Sequence, residues 1–289
     1  MKRLAFLPAV LMIAACSSSG GNTGGGSGGG TGGTGGTGGT GGGSARGPVA
    51  FFSAMQIESA GGVNRGSSAG FYPSGPPIPS GAISCTFSNT GGCDISDCVH
   101  DGGSPSFDGG AGVSAGEVTI AVAGSDGGPP LTRSATVGAY FGSGVGAWWN
   151  GGEIVTARAT GGDAGVPAFS AMLMAPTRLA VSQPANDGGP LTVTRSMPLS
   201  VAWAPGTGSV SISIQSGMLV GGRSLKAVCS VNASAGSFMV PASVTAVLLP
   251  TTAGFFQITN ATITDTAAGP YSVRTTVSTT SATRLVTVP

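Results

Sequence analysis

Alternating apolar and polar residues dominate the chain after residue 116. The period of two is clearest in residues 118–122, 199–203, 210–214 and 271–277. Glycine, proline, asparagine and aspartate interrupt these runs at short intervals. A period of two with serine and threonine on one face predicts half-buried antiparallel strands. We therefore predict an all-β fold built from one or two antiparallel β-sandwich units.

Helical periodicity is weak, since no run of helical length repeats apolar residues every 3.6 positions. Single helical turns are predicted after Pro167 and after Pro241, because proline favours the first turn of a helix and another proline ends each segment. Each proline lies in a Val-Pro-Ala triplet that follows an Asp-Gly-Gly-Pro motif. This order indicates either two tandem sandwich-like units or turn sequences that converged.

The N-terminal residues combine positively charged side chains, an apolar run and small residues that precede a cysteine. Lys2 and Arg3 precede the uncharged stretch 4–15, which is too short to span a bilayer. This order is typical of a secretory signal peptide, and residues 1–15 are its predicted extent. An ordinary signal peptide with a chance cysteine at Cys16 is the alternative.

The tetrapeptide Ile13-Ala14-Ala15-Cys16 resembles the lipobox of bacterial lipoproteins. The resemblance implies cleavage before Cys16, acylation of that cysteine and attachment to a lipid bilayer. Two or three acyl chains give stable anchoring, because each buried CH₂ contributes about 0.8 kcal/mol. Ser17 stands where enterobacterial inner-membrane lipoproteins have aspartate, which implies sorting to the outer membrane, on its periplasmic or cell-surface face.

Composition divides the rest of the chain. Residues 17–47 consist largely of glycine, serine and Thr-Gly-Gly repeats, which cannot bury apolar surface and predict a disordered tether. A glycine-rich coil of this length reaches roughly 30 Å. The predicted organisation is a signal peptide (1–15), lipidated cysteine and tether (16–47), an N-terminal β region with a cysteine-rich loop (48–176) and a C-terminal sandwich (177–289).

Residues 177–289 resemble an immunoglobulin- or fibronectin-type sandwich. Trp203 lies on an early strand, a Leu-Leu-Pro turn ends at Pro250, and two strands close the sequence. The resemblance implies a fold and no chemistry. The complete plan of lipobox, glycine-rich tether and cysteine-poor β domains also resembles surface lipoproteins of bacteria with GC-rich genomes.

Charge argues against a nucleic-acid partner. The formal net charge of +1 becomes −1 when Lys2 and Arg3 leave with the signal peptide. A near-neutral chain with few charged residues lacks the basic surface that binds phosphate backbones.

Four cysteines remain besides Cys16, and an even number beyond the cytoplasm predicts two disulfides. Cys93 and Cys98 lie in one predicted short loop, so we favour that pair, which leaves Cys85 to bind Cys229. A buried free thiol at Cys229 is an alternative.

A metal site is the other interpretation of this region, since His100 and several aspartates lie beside three of these cysteines. The spacing matches no tight zinc knuckle, so we predict disulfides, with no metal and no cofactor.

Catalytic residues are scarce. His100 is the single histidine, and G-x-S-x-G occurs around Ser27, Ser68 and Ser114 without the strand-then-helix context of a nucleophile elbow. We therefore predict that the protein is not an enzyme.

Trp148 and Trp149 form the densest aromatic spot, near Tyr140 and Phe141. Neighbouring residues of a strand face opposite ways, so one interpretation places one ring at the surface, where it would bind a sugar or a partner protein. Burial of both rings between sheets is the alternative.

These observations favour a membrane-anchored surface or periplasmic lipoprotein that acts as a non-catalytic structural or binding module of the cell envelope. Its expected partners are the bilayer, through acylated Cys16, and an envelope glycan or protein. A carbohydrate-binding module built on the tryptophans and a secreted metal-dependent hydrolase using His100 are the alternatives.

Overall fold

Extended strands make up most of the computed structural model of this protein. The structure describes residues 48–59, 62–73, 78–80, 83–100, 106–108, 112–124, 130–136, 138–162, 165–185, 189–217 and 222–289. These residues fall within one unit, Ser44–Pro289. The predicted signal peptide, Cys16 and the tether lie outside the described residues, so those predictions stay predictions.

The described residues form nineteen strands. They are β1 (Val49–Ser59), β2 (Gly62–Tyr72), β3 (Ile78–Ser80), β4 (Ile83–Thr90), β5 (Cys93–His100), β6 (Ser106–Asp108), β7 (Val118–Val122), β8 (Thr132–Arg133), β9 (Tyr140–Val145), β10 (Ile154–Ala159), β11 (Phe169–Met174), β12 (Val181–Gln183), β13 (Leu191–Thr192), β14 (Leu199–Trp203), β15 (Ser209–Gly217), β16 (Arg223–Asn232), β17 (Ser237–Val240), β18 (Thr251–Ala268) and β19 (Tyr271–Val288). The all-β prediction is confirmed.

Helical structure is limited, in the described chain, to α1 (Ala242–Val247) and a 3₁₀ turn at Ala233–Ala235. The helical turn predicted after Pro241 is confirmed, because Pro241 caps α1. The turn predicted after Pro167 is wrong, because β11 follows instead. Phe169, Ala171 and Leu173 are buried while their neighbours are exposed, so packing of a period-two face decides the conformation there.

One sheet of eleven strands runs through the whole fold. Its order is β4-β5-β16-β15-β18-β19-β1-β2-β9-β8, with β13 beside β19. Neighbours are antiparallel, except that β1 and β13 run parallel to β19. Two three-stranded sheets, β11-β10-β7 and β12-β14-β17, and the pair β3-β6 complete the described strands.

The first core lies between the β11-β10-β7 sheet and the half of the large sheet that contains β1 and β2. Its buried members include Phe52 and Phe71 from the large sheet and Ile120, Val155 and Leu173 from the small one. Alternation along these strands places one face of each sheet in this core.

The second core lies between the β12-β14-β17 sheet, with α1, and the other half of the large sheet. Ile212, Ile214 and Phe256 pack there with Val201 and Trp203. The long hairpin of β18 and β19 contributes to both cores. The hairpin of β4 and β5 also crosses the predicted boundary at residue 177, because two of its residues are in the second core.

Candidate functional site

The four cysteines form two disulfides, but not in the predicted pairs. Cys85 is bonded to Cys98, and Cys93 is bonded to Cys229. The predicted Cys93–Cys98 pair is wrong because both residues lie on β5 rather than in a loop. Five steps of about 3.3 Å along the extended strand separate them by about 16 Å and turn their side chains to opposite faces. A disulfide needs Cα atoms within about 7 Å.

Strand register explains the observed pairs. Cys85 stands opposite Cys98 across β4 and β5, and Cys93 stands opposite Cys229 across β5 and β16. The Cα–Cα distances are 4.1 Å and 4.2 Å. The signal that could have found the first pair is Gly91-Gly92, whose positive φ angles of 59° and 78° form a two-residue hairpin turn. Such a turn sets the register that brings Cys85 to Cys98.

The cysteines and two of the aspartates considered for a metal site have other bonding partners. Disulfide formation removes the thiolates of all four cysteines. Asp94 accepts a hydrogen bond from the Asn89 amide, and Asp97 binds the Arg223 guanidinium. Hydrogen bonding by Arg223 lowers the pKa of the Asp97 carboxyl. His100 ends β5 opposite Ile83. Asp101 and the side chain of His100 lie outside the described part of the chain.

The described ranges contain no group of three histidine, cysteine or acidic residues placed to hold a metal ion. They also contain no helix with the length and hydropathy needed to cross a membrane.

Both tryptophans are buried, so the interpretation with one ring at the surface is wrong and the alternative, burial of both rings, is confirmed. Trp148 is 8% exposed and Trp149 is 2% exposed. They lie between β9 and β10 rather than on a strand, so strand alternation does not separate them. Both side chains enter the first core, with ring centroids 6.0 Å apart. A sugar would find neither ring face available.

A buried glutamine fixes the loop that carries these tryptophans. The Gln56 Oε1 atom accepts hydrogen bonds from the backbone N–H of Trp148 at 2.6 Å and of Trp149 at 3.2 Å. The Gln56 Nε2 atom donates to the carbonyl of Trp149 at 3.0 Å. The indole N–H of Trp149 donates to Thr279 Oγ1 at 2.8 Å. These contacts give both tryptophans a structural role.

A shallow cavity of about 400 Å³ lies at the turn between β18 and β19. It is lined by residues between Asp265 and Ser272. Asp265 accepts two hydrogen bonds from the Arg274 guanidinium, which lower the pKa of its carboxyl. A carboxylate held this way is a poor general base, because its proton affinity is reduced.

The hairpin of β4 and β5 is the strongest candidate for a contact site. On β4, Ser84, Thr86, Ser88 and Asn89 are exposed, and Phe87 is 72% exposed. Residues 83–90 include no charged side chain. The Cys93–Cys229 disulfide is buried and holds the hairpin to β16, while the half-buried Cys85–Cys98 disulfide closes the hairpin itself. The hairpin is therefore held in place although it buries few apolar side chains.

The outer edge of β4 exposes backbone hydrogen-bonding groups. Directly opposite residues of antiparallel strands lie about 4.5 Å apart when they share no hydrogen bonds and about 5.5 Å apart when they do. The 4.1 Å Cα–Cα distance assigns Cys85 and Cys98 to the first kind. The N–H and C=O groups of Cys85, Phe87 and Asn89 therefore point away from β5. No strand of the described chain pairs with this edge.

The opposite end of the same sheet is protected. Its terminal strand, β8, contains two residues, Thr132 and Arg133. The Arg133 guanidinium donates to the carbonyl of Gly112 at 2.7 Å. A short edge with a charged side chain discourages pairing with another chain. The two ends of the sheet therefore differ in what they offer to a partner.

The fold and its hairpin define an all-β protein stabilised by two disulfides. No protein-family model matches the chain, and no curated protein matches it. Among solved structures, the crystal structure of Rst D1-D2 matches with 10% identity and a TM-score of 0.16, covering 72% of this chain and 100% of that one. Similarity at this level carries no argument about function.

Proposed function

We propose that this protein is an exported lipoprotein of the outer membrane that serves the cell envelope as a non-catalytic structural or binding module. In this proposal the acylated Cys16 anchors the chain, residues 17–47 form the tether, and the β4–β5 hairpin is a contact surface. The lipobox resemblance supports the anchor.

The observation that carries the proposal is the exposed hairpin held by two disulfides. Disulfides persist outside the cytoplasm, so Cys85–Cys98 and Cys93–Cys229 favour an exported protein. A segment that buries little apolar surface but is covalently fixed is suited to contact rather than to core packing. The proposal also retains the division into 48–176 and 177–289 and the immunoglobulin-like character of the second part.

The two alternative functions find no support in the geometry. A carbohydrate-binding module would need an exposed face on Trp148 or Trp149, and both are buried. The metal-dependent hydrolase predicted around His100 would draw on the neighbouring cysteines as ligands, and these cysteines are in disulfides.

Lipid anchoring is tested by labelling cells with a palmitate analogue. We expect the label on the wild type and its loss in Cys16→Ala. The double variant Cys85→Ala, Cys98→Ala is the matched control, because it removes two cysteines and should keep the label. Equal labelling of wild type and Cys16→Ala, or no labelling of either, would overturn the anchor.

The absence of catalysis is tested with the full chain in detergent. Ester, peptide, glycan and phosphate substrates should show no turnover above background, in the wild type or in His100→Ala. Loss of a general base typically lowers a rate by about 10²–10⁴-fold, so a catalytic histidine would be detected. Turnover that disappears in His100→Ala would place the protein among enzymes.

A further inference from the structure

Within the described residues, the edge strand β4 lacks several of the devices with which proteins protect sheet edges. Protected edges are short, or carry lysine or proline, or are twisted away by a bulge. The eight residues Ile83–Thr90 include no lysine and no proline, and their pairing with β5 runs without a register shift. The other end of the sheet has the two-residue strand β8 with Arg133. An unprotected edge is a ready template for pairing with a strand of another chain.

The sequence of β4 suits antiparallel pairing with β4 of a second copy of the chain. In an antiparallel pair centred on Phe87, that residue faces Phe87 of the second copy, and Cys85 faces Asn89 of the second copy. These are the residues whose N–H and C=O groups point outward, so each outward group meets one of opposite kind. Between them, Thr86 faces Ser88 of the second copy, a pair that stabilises sheets.

Charge also favours a second copy as the occupant. Two-fold symmetry places the residue at the axis against its own counterpart, so a charge at that position would face a like charge. Residues 83–90 contain no charge, so this repulsion is absent. An exposed phenylalanine at the symmetry axis gives the pair an apolar centre, since Phe87 is 72% exposed.

We propose that β4 pairs antiparallel with β4 of a second copy of this chain, about a two-fold axis at Phe87. The pairing joins the two large sheets into one continuous sheet. The rings of both Phe87 residues then lie on the sheet face that carries the Cys85–Cys98 disulfide. The pairing goes beyond the proposed function and needs no acyl chain, so a failure of lipidation leaves it standing.

Charge substitution at the axis tests the pairing and its register together. Phe87→Lys and Phe87→Glu each set two like charges face to face and should weaken self-association of the full chain at least about tenfold. An equimolar mixture should restore association, because the introduced lysine of one copy then faces the introduced glutamate of the other. Sedimentation velocity over a concentration series measures all three samples.

The matched control is Val145→Lys, which adds the same charge at a residue that is 79% exposed on β9, away from β4. It should associate like the wild type. A wild type that remains monomeric at every concentration would overturn the proposal and leave an extended strand of another protein as the occupant. Association of the wild type that persists in both Phe87 variants, or variants that the mixture fails to rescue, would also overturn it.

Amide hydrogen exchange of the wild type tests the same pairing without a substitution. The N–H groups of Cys85, Phe87 and Asn89 should exchange more slowly as the protein concentration rises. Those of Thr86 and Ser88 point toward β5 and should not change, which makes them an internal control. Exchange that is independent of concentration at all five amides would contradict the pairing.

Discussion

A loop of the first core and a hairpin of the second core are held in place by different means. In the first core, the loop between β9 and β10 carries Trp148 and Trp149, and burial together with the Gln56 hydrogen bonds fixes it. In the second core, the β4–β5 hairpin is held by the buried Cys93–Cys229 bond. The difference follows from side-chain size. Two tryptophans bury enough apolar area to hold a loop, whereas serines and threonines do not.

Removing the long-range disulfide should have the largest effect. Cys93 and Cys229 are 136 residues apart, and the loop-closure relation gives about 5 kcal/mol for a loop of that length. The double variant Cys93→Ala, Cys229→Ala should lower the free energy of unfolding, measured by urea titration, by about that amount. The control is Cys85→Ala, Cys98→Ala, whose separation of 13 gives about 3 kcal/mol. Equal losses would show that loop length does not govern the stabilisation.

Truncation of the tryptophan in the first core comes next. Trp149→Ala removes a fully buried side chain and should cost about 4 kcal/mol of unfolding free energy. Trp149→Phe keeps a ring but loses the bond to Thr279, so its cost should be smaller. Val145→Ala, at a residue 79% exposed, should change stability by less than about 0.5 kcal/mol. Similar costs for Trp149→Ala and Val145→Ala would show that burial of the tryptophan does not hold the loop of the first core.

The buried amide should contribute less than the ring it supports. Gln56→Leu keeps a side chain of similar size but leaves the N–H groups of Trp148 and Trp149 without their acceptor. An unsatisfied buried group costs about 1–3 kcal/mol, so two N–H groups near the lower end of that range should together cost about 2 kcal/mol in thermal or urea unfolding. Gln215→Leu, on the half-buried face of β15, is the matched control and should be nearly neutral. A neutral Gln56→Leu would assign the loop's stability to the rings alone.

The smallest effect should come from acid titration of the Asp265–Arg274 pair. Arg274 lowers the pKa of Asp265 from 3.8, so the pair stabilises the fold fully above that pH. The stabilisation is lost as the pH falls below 3.8 through the lowered pKa of the folded state. An exposed pair contributes about 0–1 kcal/mol. The stability difference between wild type and Asp265→Asn should be constant from about pH 5 to 7 and shrink at lower pH. A difference that grows in acid would contradict this.

Local pattern was sufficient to predict several strands. The runs 118–122 and 199–203 became β7 and β14, because one face of each meets a core. The strands β1 and β2 were missed, since alanine, serine and glycine occupy many of their buried positions and give weak alternation. A period-two signal depends on large apolar residues, and these strands pack with small ones.

Long-range pairing could not be predicted from local pattern. The Cys93–Cys229 bond depends on β5 joining β16, and nothing within either segment specifies that neighbour. The burial of Trp148 depends on Gln56 in a distant strand. The Cys85–Cys98 bond could have been predicted from the sequence, because the Gly91-Gly92 turn sets the register of the hairpin from adjacent residues.

The pairing of β1 with β19 has a consequence for how the chain folds. Val49 faces Ser272, so the first described strand has no partner on that side until the β19 segment has been synthesised. Contacts of such long sequence separation slow folding, and β1 and β2 meanwhile form a hairpin with one open edge. An unfinished polypeptide would leave both cores open, since β19 contributes to each. Chaperone protection of the nascent chain should therefore last until β19 is available.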